Sequence, residues 1–266
     1  MAVIGTSSVD RVDGGPARLG GAPLYAAQAL RLLGTPARLV TRLRRADAEA
    51  FLPQLARHGL PVSWRAGETA EFSFAYRDRV REMTVEACGE PWSAEEARGW
   101  IAEALGGVRL LHVGALLRSD FPPDTLAELA RGRRLLLDGQ GLVRPATVGP
   151  LVLDSEFDRQ ALRHVSILKL AEEEAFALGA DSEGEGLSEL GVREVIVTLG
   201  PRGSLVLRDG AVCRVPAHPI ESVDPTGAGD AFAAAYLVSR GIGQSPGTAA
   251  RRATAVVAAL LMARRR

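Results

Sequence analysis

Only two of the 266 residues are cysteine, Cys88 and Cys213, and they stand far apart with no CxxC spacing. A disulfide framework and a zinc site are thereby excluded as organising devices, which leaves two reduced, partly buried thiols as the expectation. Histidine is almost as scarce. His58, His112, His164 and His218 form no HxxxH pair, so no histidine metal cluster is expected. His112 ends a strand-like run and could at most contact a substrate. Aromatics make up 5% of the chain, and Trp64, Trp92 and Trp100 read as packing residues of the core or a flap. Neither sign of charge is in excess, because 32 Lys and Arg balance 32 Asp and Glu. Such a chain has no long-range field drawing it to nucleic acid or to an anionic membrane. The basic run Arg264 to Arg266 is too short to change this and reads as a solvated helix end. The most apolar stretch, Ala253 to Ala263, is bounded by Arg252 and Arg264 and is too short to cross a bilayer. No basic region followed by a long apolar run opens the chain, so no signal peptide is read and a cytoplasmic location is expected.

What is present is a 47% hydrophobic content, enough for a sizeable core, distributed in two kinds of pattern. Short runs at Ala2–Ile4, Arg38–Thr41, Arg109–Val113, Arg134–Asp138, Val165–Lys169 and Glu194–Thr198 are apolar on both faces, as buried parallel strands are. Helical patterns lie between them at Ala22–Leu33, Ala46–Arg57, Pro123–Arg131, Ala171–Leu178 and Gly186–Leu190. This alternation predicts an α/β fold with a mostly parallel sheet covered by helices on both sides. The segment Val62 to Val85 differs. Glu71 to Tyr76 alternates in period two, and Arg79 to Val85 could pair with it, which predicts a small β flap at about 62–85 on a single domain spanning 1–266. Ser93 and Glu96 form a capping box that opens the next helix.

In such sheets ligands bind beyond the carboxyl ends of the strands. Asp10, Asp138 with Gln140, Lys169, Thr198 with Gly200, and Asp224 to Asp230 all follow strand-like runs. The run that carries the chemistry is Asp224-Pro-Thr-Gly-Ala-Gly-Asp-Ala-Phe232, which precedes an apolar helix. Glycines at 227 and 229 let backbone approach a ligand, and the N–H groups at a helix start attract anions. Asp230 falls in the first turn of that helix. Its carboxylate suits the helix dipole there, yet it would repel a phosphate bound beside it. A base for an attacking hydroxyl supplies the further reason for its presence.

The nine-residue run resembles the signature D-[TS]-x-G-A-G-D-x-F of the ribokinase-like (PfkB) carbohydrate kinases, departing from it at Pro225. The resemblance implies a ribokinase-like three-layer α/β/α sandwich, with Asp230 as catalytic base and the amides of Gly227, Ala228 and Gly229 as the anion hole for the γ-phosphate. Other segments are similar to family motifs in the same order. Gly5-Thr-Ser-Ser-Val-Asp10 implies that Asp10 binds substrate hydroxyls, and Gly20-Gly21 before a helix implies a hinge and substrate contact. Val197-Thr-Leu-Gly-Pro-Arg-Gly203 resembles the nucleotide-phosphate loop and implies that Thr198, Gly200 and Gly203, with Lys169 and Thr226, bind the donor. Ile167-Leu-Lys-Leu-Ala-Glu-Glu-Glu174 resembles the segment usually written N-x-x-E, and implies that Glu174 organises magnesium-bound water. Asp224 would lie near the loop that holds a monovalent cation such as K+ in many members.

Three departures bear on the substrate. Ala171 stands where the family usually has Asn, Tyr25 stands where the ribose-kinase form of the Gly-Gly motif has Asn, and nine residues between Asp10 and Gly20 are too few for a full lid. The flap would have to serve as a reduced lid. Leu137-Asp-Gly-Gln-Gly-Leu-Val-Arg144 resembles the D-x-Q-G-x-x-R segment of the inositol kinase-like branch, implying that Gln140 and Arg144 help hold a polyol. The alternative for Arg144 is a loop residue in solvent. The expected reaction is transfer of the γ-phosphate of ATP, with Mg²⁺, to a hydroxyl of a small sugar or cyclic polyol, inositol-like favoured. A nucleoside or ketohexose kinase, or a weakened nucleotide- or sugar-binding regulatory protein, are the alternatives. The expected partner is the small substrate alone, with no nucleic acid and no membrane and with room for a homodimer.

Overall fold

The computed structural model describes residues 1–77, 80–217, 220 and 224–264. Arg79, His218, Arg265 and Arg266, which entered the sequence reading, lie outside the described residues. The chain begins with β1 (Ala2–Gly5), β2 (Ser8–Val12) and β3 (Arg18–Gly20), then α1 (Ala22–Leu32), β4 (Arg38–Leu43), α2 (Arg45–Ala56) and β5 (Val62–Ala66). The hairpin β6 (Ala70–Arg77) and β7 (Val80–Ala87) leads through α3 (Ala94–Arg98) and α4 (Trp100–Ala104) to β8 (Leu110–Gly114). There follow α5 (Pro123–Ala130), β9 (Arg134–Asp138), α6 (Gln140–Val143), β10 (Gly149–Pro150), β11 (Ile167–Ala171), α7 (Glu172–Ala177) and β12 (Glu194–Thr198). The hairpin β13 (Ser204–Arg208) and β14 (Ala211–Val215) precedes the last helices, α8 (Ala228–Gly241) and α9 (Pro246–Arg264).

Among the described residues the large sheet has nine strands in the order β14-β13-β12-β11-β9-β8-β1-β4-β5. It is parallel throughout except for the antiparallel β12-β13-β14 edge. The period-two alternation of its strands sorts two cores. Ile4, Val113, Leu135, Leu137, Leu168, Leu170 and Val195 pack under α3, α4, α5 and α7. Val3, Leu39, Leu136, Ile167 and Ile196 point the other way, under α1, α2, α8 and α9. Helices on both faces make this the expected three-layer α/β/α sandwich. Trp92 is fully buried in the first core, and the Ser93–Glu96 capping box is formed.

The expected flap is only partly where the sequence placed it. Val62–Ala66 is not in the flap but is β5, the parallel edge strand of the large sheet beside β4. The flap is a separate five-stranded sheet, β10-β7-β6-β2-β3, so the hairpin from the expected segment is joined by strands from elsewhere. Phe72, Phe74, Val85, Leu116 and Leu117 form a third small core that seats this sheet on the body.

Candidate active site

Strand parity builds the floor of the site. The face of the large sheet under α8 receives Leu136 and Ile167, and two residues further on the same face come Asp138 and Lys169, paired in register. His112 lies opposite Leu136 on the next strand. All three are buried: His112 and Asp138 fully, Lys169 to within a few per cent. Three polar groups on adjacent strands, Asp138 at the carboxyl end of its own, are thus held under the first turn of α8, where Asp230 sits, itself buried.

Their charges act on one another. The Lys169 ammonium lies 3.4 Å from Asp138 Oδ2. Burial opposes its charge, but the carboxylates of Asp138, Glu174 and Asp230 outweigh burial and push it up to about 12. Asp230 is raised to about 7, chiefly by burial and then by the negative charge of Asp138, with Lys169 and Arg144 pulling the other way. His112 falls to about 4 through burial and is neutral, and neither ring nitrogen has a hydrogen-bond partner among the described residues. The expected minor contact of His112 with substrate is thereby corrected, since a residue without exposed surface is part of the floor. His112, Asp138 and Asp230 offer atoms within 4.8 Å of one another, a spacing that could hold a metal ion. Lys169 already supplies a cation there, bonded to one of the three.

Above this floor runs the Asp224–Asp230 turn. Gly227 caps α8 at φ 76°, a conformation that disfavours side chains, and a Cβ there would lie 2.0 Å from the Tyr25 ring. A Cβ on Gly229 would lie 2.7 Å from Lys169 Nζ, so the ammonium stands directly against the turn. Ala228 and Gly229 begin the helix, where first-turn N–H groups have no intrahelical acceptor. The Ala228 N–H donates instead to the Pro225 carbonyl at 2.9 Å, which corrects its expected place in the anion hole. Asp224 Oδ1 accepts from the Thr226 N–H at 2.9 Å and from its hydroxyl at 2.6 Å, which closes the turn.

The opposite wall comes from the flap. Asp10 does not sit in a loop beyond a strand end, as the sequence suggested, but within β2, between Arg18 of β3 and Phe72 of β6. Ser8 donates to its Oδ1 at 2.7 Å, and Gly20 leaves it room, since a Cβ at 20 would lie 2.2 Å from Asp10 Oδ2. Gly21 caps α1, the helix that carries Tyr25. The Tyr25 hydroxyl is held neutral by burial and by the nearby carboxylates of Asp10 and Asp230. Gln140 reaches back to Asp138 Oδ1 at 3.3 Å. Arg144 is not a solvent residue: its guanidinium lies 3.8 Å from Glu174 Oε1 and 3.8 Å from the Met83 sulfur. Glu174 is buried and raised by burial, and its Oε2 accepts from the Ala171 N–H at 2.7 Å. The position where the family has Asn thus contributes only backbone.

Asp10, Tyr25, Gln140, Arg144, Lys169, Glu174 and Asp230 all line one cavity of about 270 Å³, with Phe72, Phe74, Met83 and Leu116 as its apolar side. Nothing in the sequence marked these four as site residues beyond the period-two alternation of β6, which carries Phe72 and Phe74. A second, apolar slot of about 320 Å³ runs between Gly203, Ile220, Ala228, Phe232, Val257 and Leu261. Thr198, Gly200, Pro225 and Gly229 border both. Asp224, exposed, lines neither, and Gly20 and Gly21 stand behind the first cavity. None of the described helices is long and apolar enough to cross a membrane.

The chain is 33% identical over 199 residues to an inositol 3-kinase of Zea mays, covering 72% of this chain and 48% of that protein. A cytidine kinase of Thermococcus kodakarensis is 28% identical over 262 residues, covering 91% and 89%. The chain spans only 24%, 48% and 27% of the length of three of the curated relatives it matches. Among solved structures, a pyrophosphate-dependent kinase in the ribokinase family, complexed with a pyrophosphate analog and myo-inositol, superposes with a TM-score of 0.85 at 25% identity, covering 98% of this chain and 94% of that one. Residues 5–264 match the sequence pattern of the pfkB family carbohydrate kinases. The signature turn, the two-sheet fold and this match together place the chain in the pfkB carbohydrate kinase family.

Proposed function

We propose that the protein transfers the terminal phosphoryl group of ATP to a hydroxyl of a small cyclic polyol, with inositol the favoured acceptor. The observation that carries this reading is the junction between the two cavities. A hydroxyl-binding carboxylate, Asp10, and a buried base, Asp230, face one cavity. An apolar slot suited to a nucleoside lies on the other side of the same glycine turn. An acceptor held by Asp10, Gln140 and Arg144 presents a hydroxyl to Asp230. The carboxylate takes its proton, the oxygen attacks the γ-phosphorus, and the bond to the β-phosphate oxygen breaks. Lys169 and the amides of Gly227 and Gly229 stabilise charge on the transferred group, while Thr198, Gly200 and Gly203 border the donor and Thr226 lines the acceptor side of the turn. Glu174, a buried carboxylate on the cavity wall, suits a water-mediated hold on Mg²⁺, which would neutralise donor phosphates.

The apolar wall of Phe72, Phe74, Met83 and Leu116 suits the C–H face of a ring whose hydroxyls point to Asp10 and Arg144. Tyr25 fills space where an amide would have met ribose. Steady-state rates with myo-inositol, fructose, ribose, adenosine and cytidine test this. The highest kcat/KM is expected for a ring polyol, with deoxy analogues rejected strongly because buried polar groups would go unpaired. A nucleoside or ribose well ahead of every polyol would refute it. A second donor, pyrophosphate, is favoured by the solved neighbour's complex. The open slot beside Gly203 supports a nucleotide instead, and paired assays with ATP and pyrophosphate decide between them.

Because Asp230 must be ionised to act, and burial holds it at about 7, kcat/KM for the acceptor is expected to rise with pH and level off above that value. A flat profile between pH 5.5 and 8.5 would remove Asp230 as the base.

A further inference from the structure

Arg264, near the end of α9, does more than end a helix in solvent. Its Nη1 donates to the Thr226 carbonyl at 2.7 Å and to the Asp224 carbonyl at 3.3 Å. Its Nη2 donates to Gln28 Oε1 on α1 at 3.2 Å, and its guanidinium stands 5.7 Å over the Tyr25 ring. One side chain therefore ties three separate parts of the chain together: α9, α1 and the turn that leads into α8. The two carbonyls it holds belong to the turn that presents Gly227 to the acceptor cavity.

A planar trans peptide points its N–H opposite its C=O. With the Thr226 carbonyl fixed on Arg264, the Gly227 N–H of the same peptide is turned away from Arg264, and Gly227 itself lines the acceptor cavity. Tyr25 presses on Gly227 from the side of α1, so the turn is gripped from two directions. The resemblance to the family places a monovalent cation near Asp224. Here the Asp224 carboxylate is turned onto Thr226, and the main-chain oxygens of Asp224 and Thr226 already receive a fixed positive charge from the protein itself. The residues do not fit a K+ ion on these carbonyls.

We infer that Arg264 is a positioning residue that holds the anion turn in its working shape, doing with a guanidinium what a bound monovalent cation would otherwise do. Turnover is then independent of K+. This rests on the kinase reading above, and its test separates the two. With the wild-type protein, rates in KCl, NaCl and tetramethylammonium chloride at matched ionic strength are expected to agree within about twofold, as for a site whose cation is built in. Thermal melting in the same salts, which needs no turnover, is expected to show no K+-specific rise. Arg264→Ala is expected to lower kcat about tenfold or more, the scale of losing hydrogen bonds from a charged donor. The acceptor KM should change little, because Arg264 does not line the cavity. Free guanidinium at low concentration, or Arg264→Lys, should restore part of the rate, which a merely structural loss would not allow. A saturable K+ activation or K+-specific stabilisation of the wild type would overturn the inference, as would an Arg264→Ala variant with wild-type kcat. The salt series stands even if that variant does not fold. A protein that transfers no phosphate in any salt would count against the kinase reading, and the melting series would still decide the role of Arg264.

Discussion

Asp230→Asn is expected to lower kcat by about 10²–10⁴, the usual cost of removing a general base, while the folded protein survives intact. The second half of that expectation follows from burial. Asp230 is raised from its ordinary 3.8 to about 7, first by burial and then by Asp138. Its proton is therefore bound more tightly in the folded state than in the unfolded chain. The stability this contributes is fully present below about 4 and is lost as pH rises through about 7. Asparagine cannot ionise, keeps nearly the same volume, and retains a polar group in the first turn of α8. Above pH 7 the variant should melt at the wild-type temperature or higher, while its turnover collapses. A variant that keeps most of the wild-type kcat would remove Asp230 from the chemistry. One that unfolds would show that the carboxylate is structural.

Lys169→Met is expected to be damaging twice over. Lys169 and Asp138 are both buried, 3.4 Å apart, with Glu174 and Asp230 close by. Removing the ammonium leaves buried carboxylates without their cation, and breaking a buried pair in this way costs about 3–5 kcal/mol, a large share of the roughly 5–15 kcal/mol that holds a typical domain folded. Catalysis should also fall by about 10²–10³, because the charge that stands against Gly229 is lost where the transferred phosphoryl develops negative charge. The two effects can be separated. Adding Asp138→Asn removes the orphaned carboxylate and should recover much of the melting temperature without recovering kcat. Recovery of both together would make Lys169 a structural residue and nothing more.

The strands that carry Asp138, Lys169 and Thr198 were legible because a buried parallel strand needs apolar residues on both faces, and Leu135-Leu-Leu, Ile167-Leu and Val195-Ile-Val show that without ambiguity. The signature turn was equally legible, since glycine at 227 and 229 answers local demands of φ and close approach. The flap was legible only in its β6–β7 hairpin. β2 carries Asp10 and Arg11 and β3 runs from Arg18 to Gly20, residues that read as loop and become strands only through pairing with each other and with β6 far along the chain. Val62–Ala66 looked like part of the flap for the converse reason, because its pairing with β4 is a long-range choice that no local pattern records. The β13–β14 hairpin did carry a signal, Asp209-Gly210 between two apolar runs, of the kind that marks a tight turn. His112 was misjudged because its burial, not its residue type, sets its place, whereas Arg264 ends α9 exposed, as read, and only its partners on the 224–226 turn were illegible.

The most direct test of the account is to follow phosphorus. The protein, ATP, Mg²⁺ and myo-inositol are mixed, and ³¹P NMR follows the products with ADP measured in parallel. One new phosphomonoester resonance is expected to appear in step with ADP, dependent on the polyol and absent with Asp230→Asn. ADP accompanied only by inorganic phosphate, or no phosphate ester with any polyol or sugar offered, would contradict it.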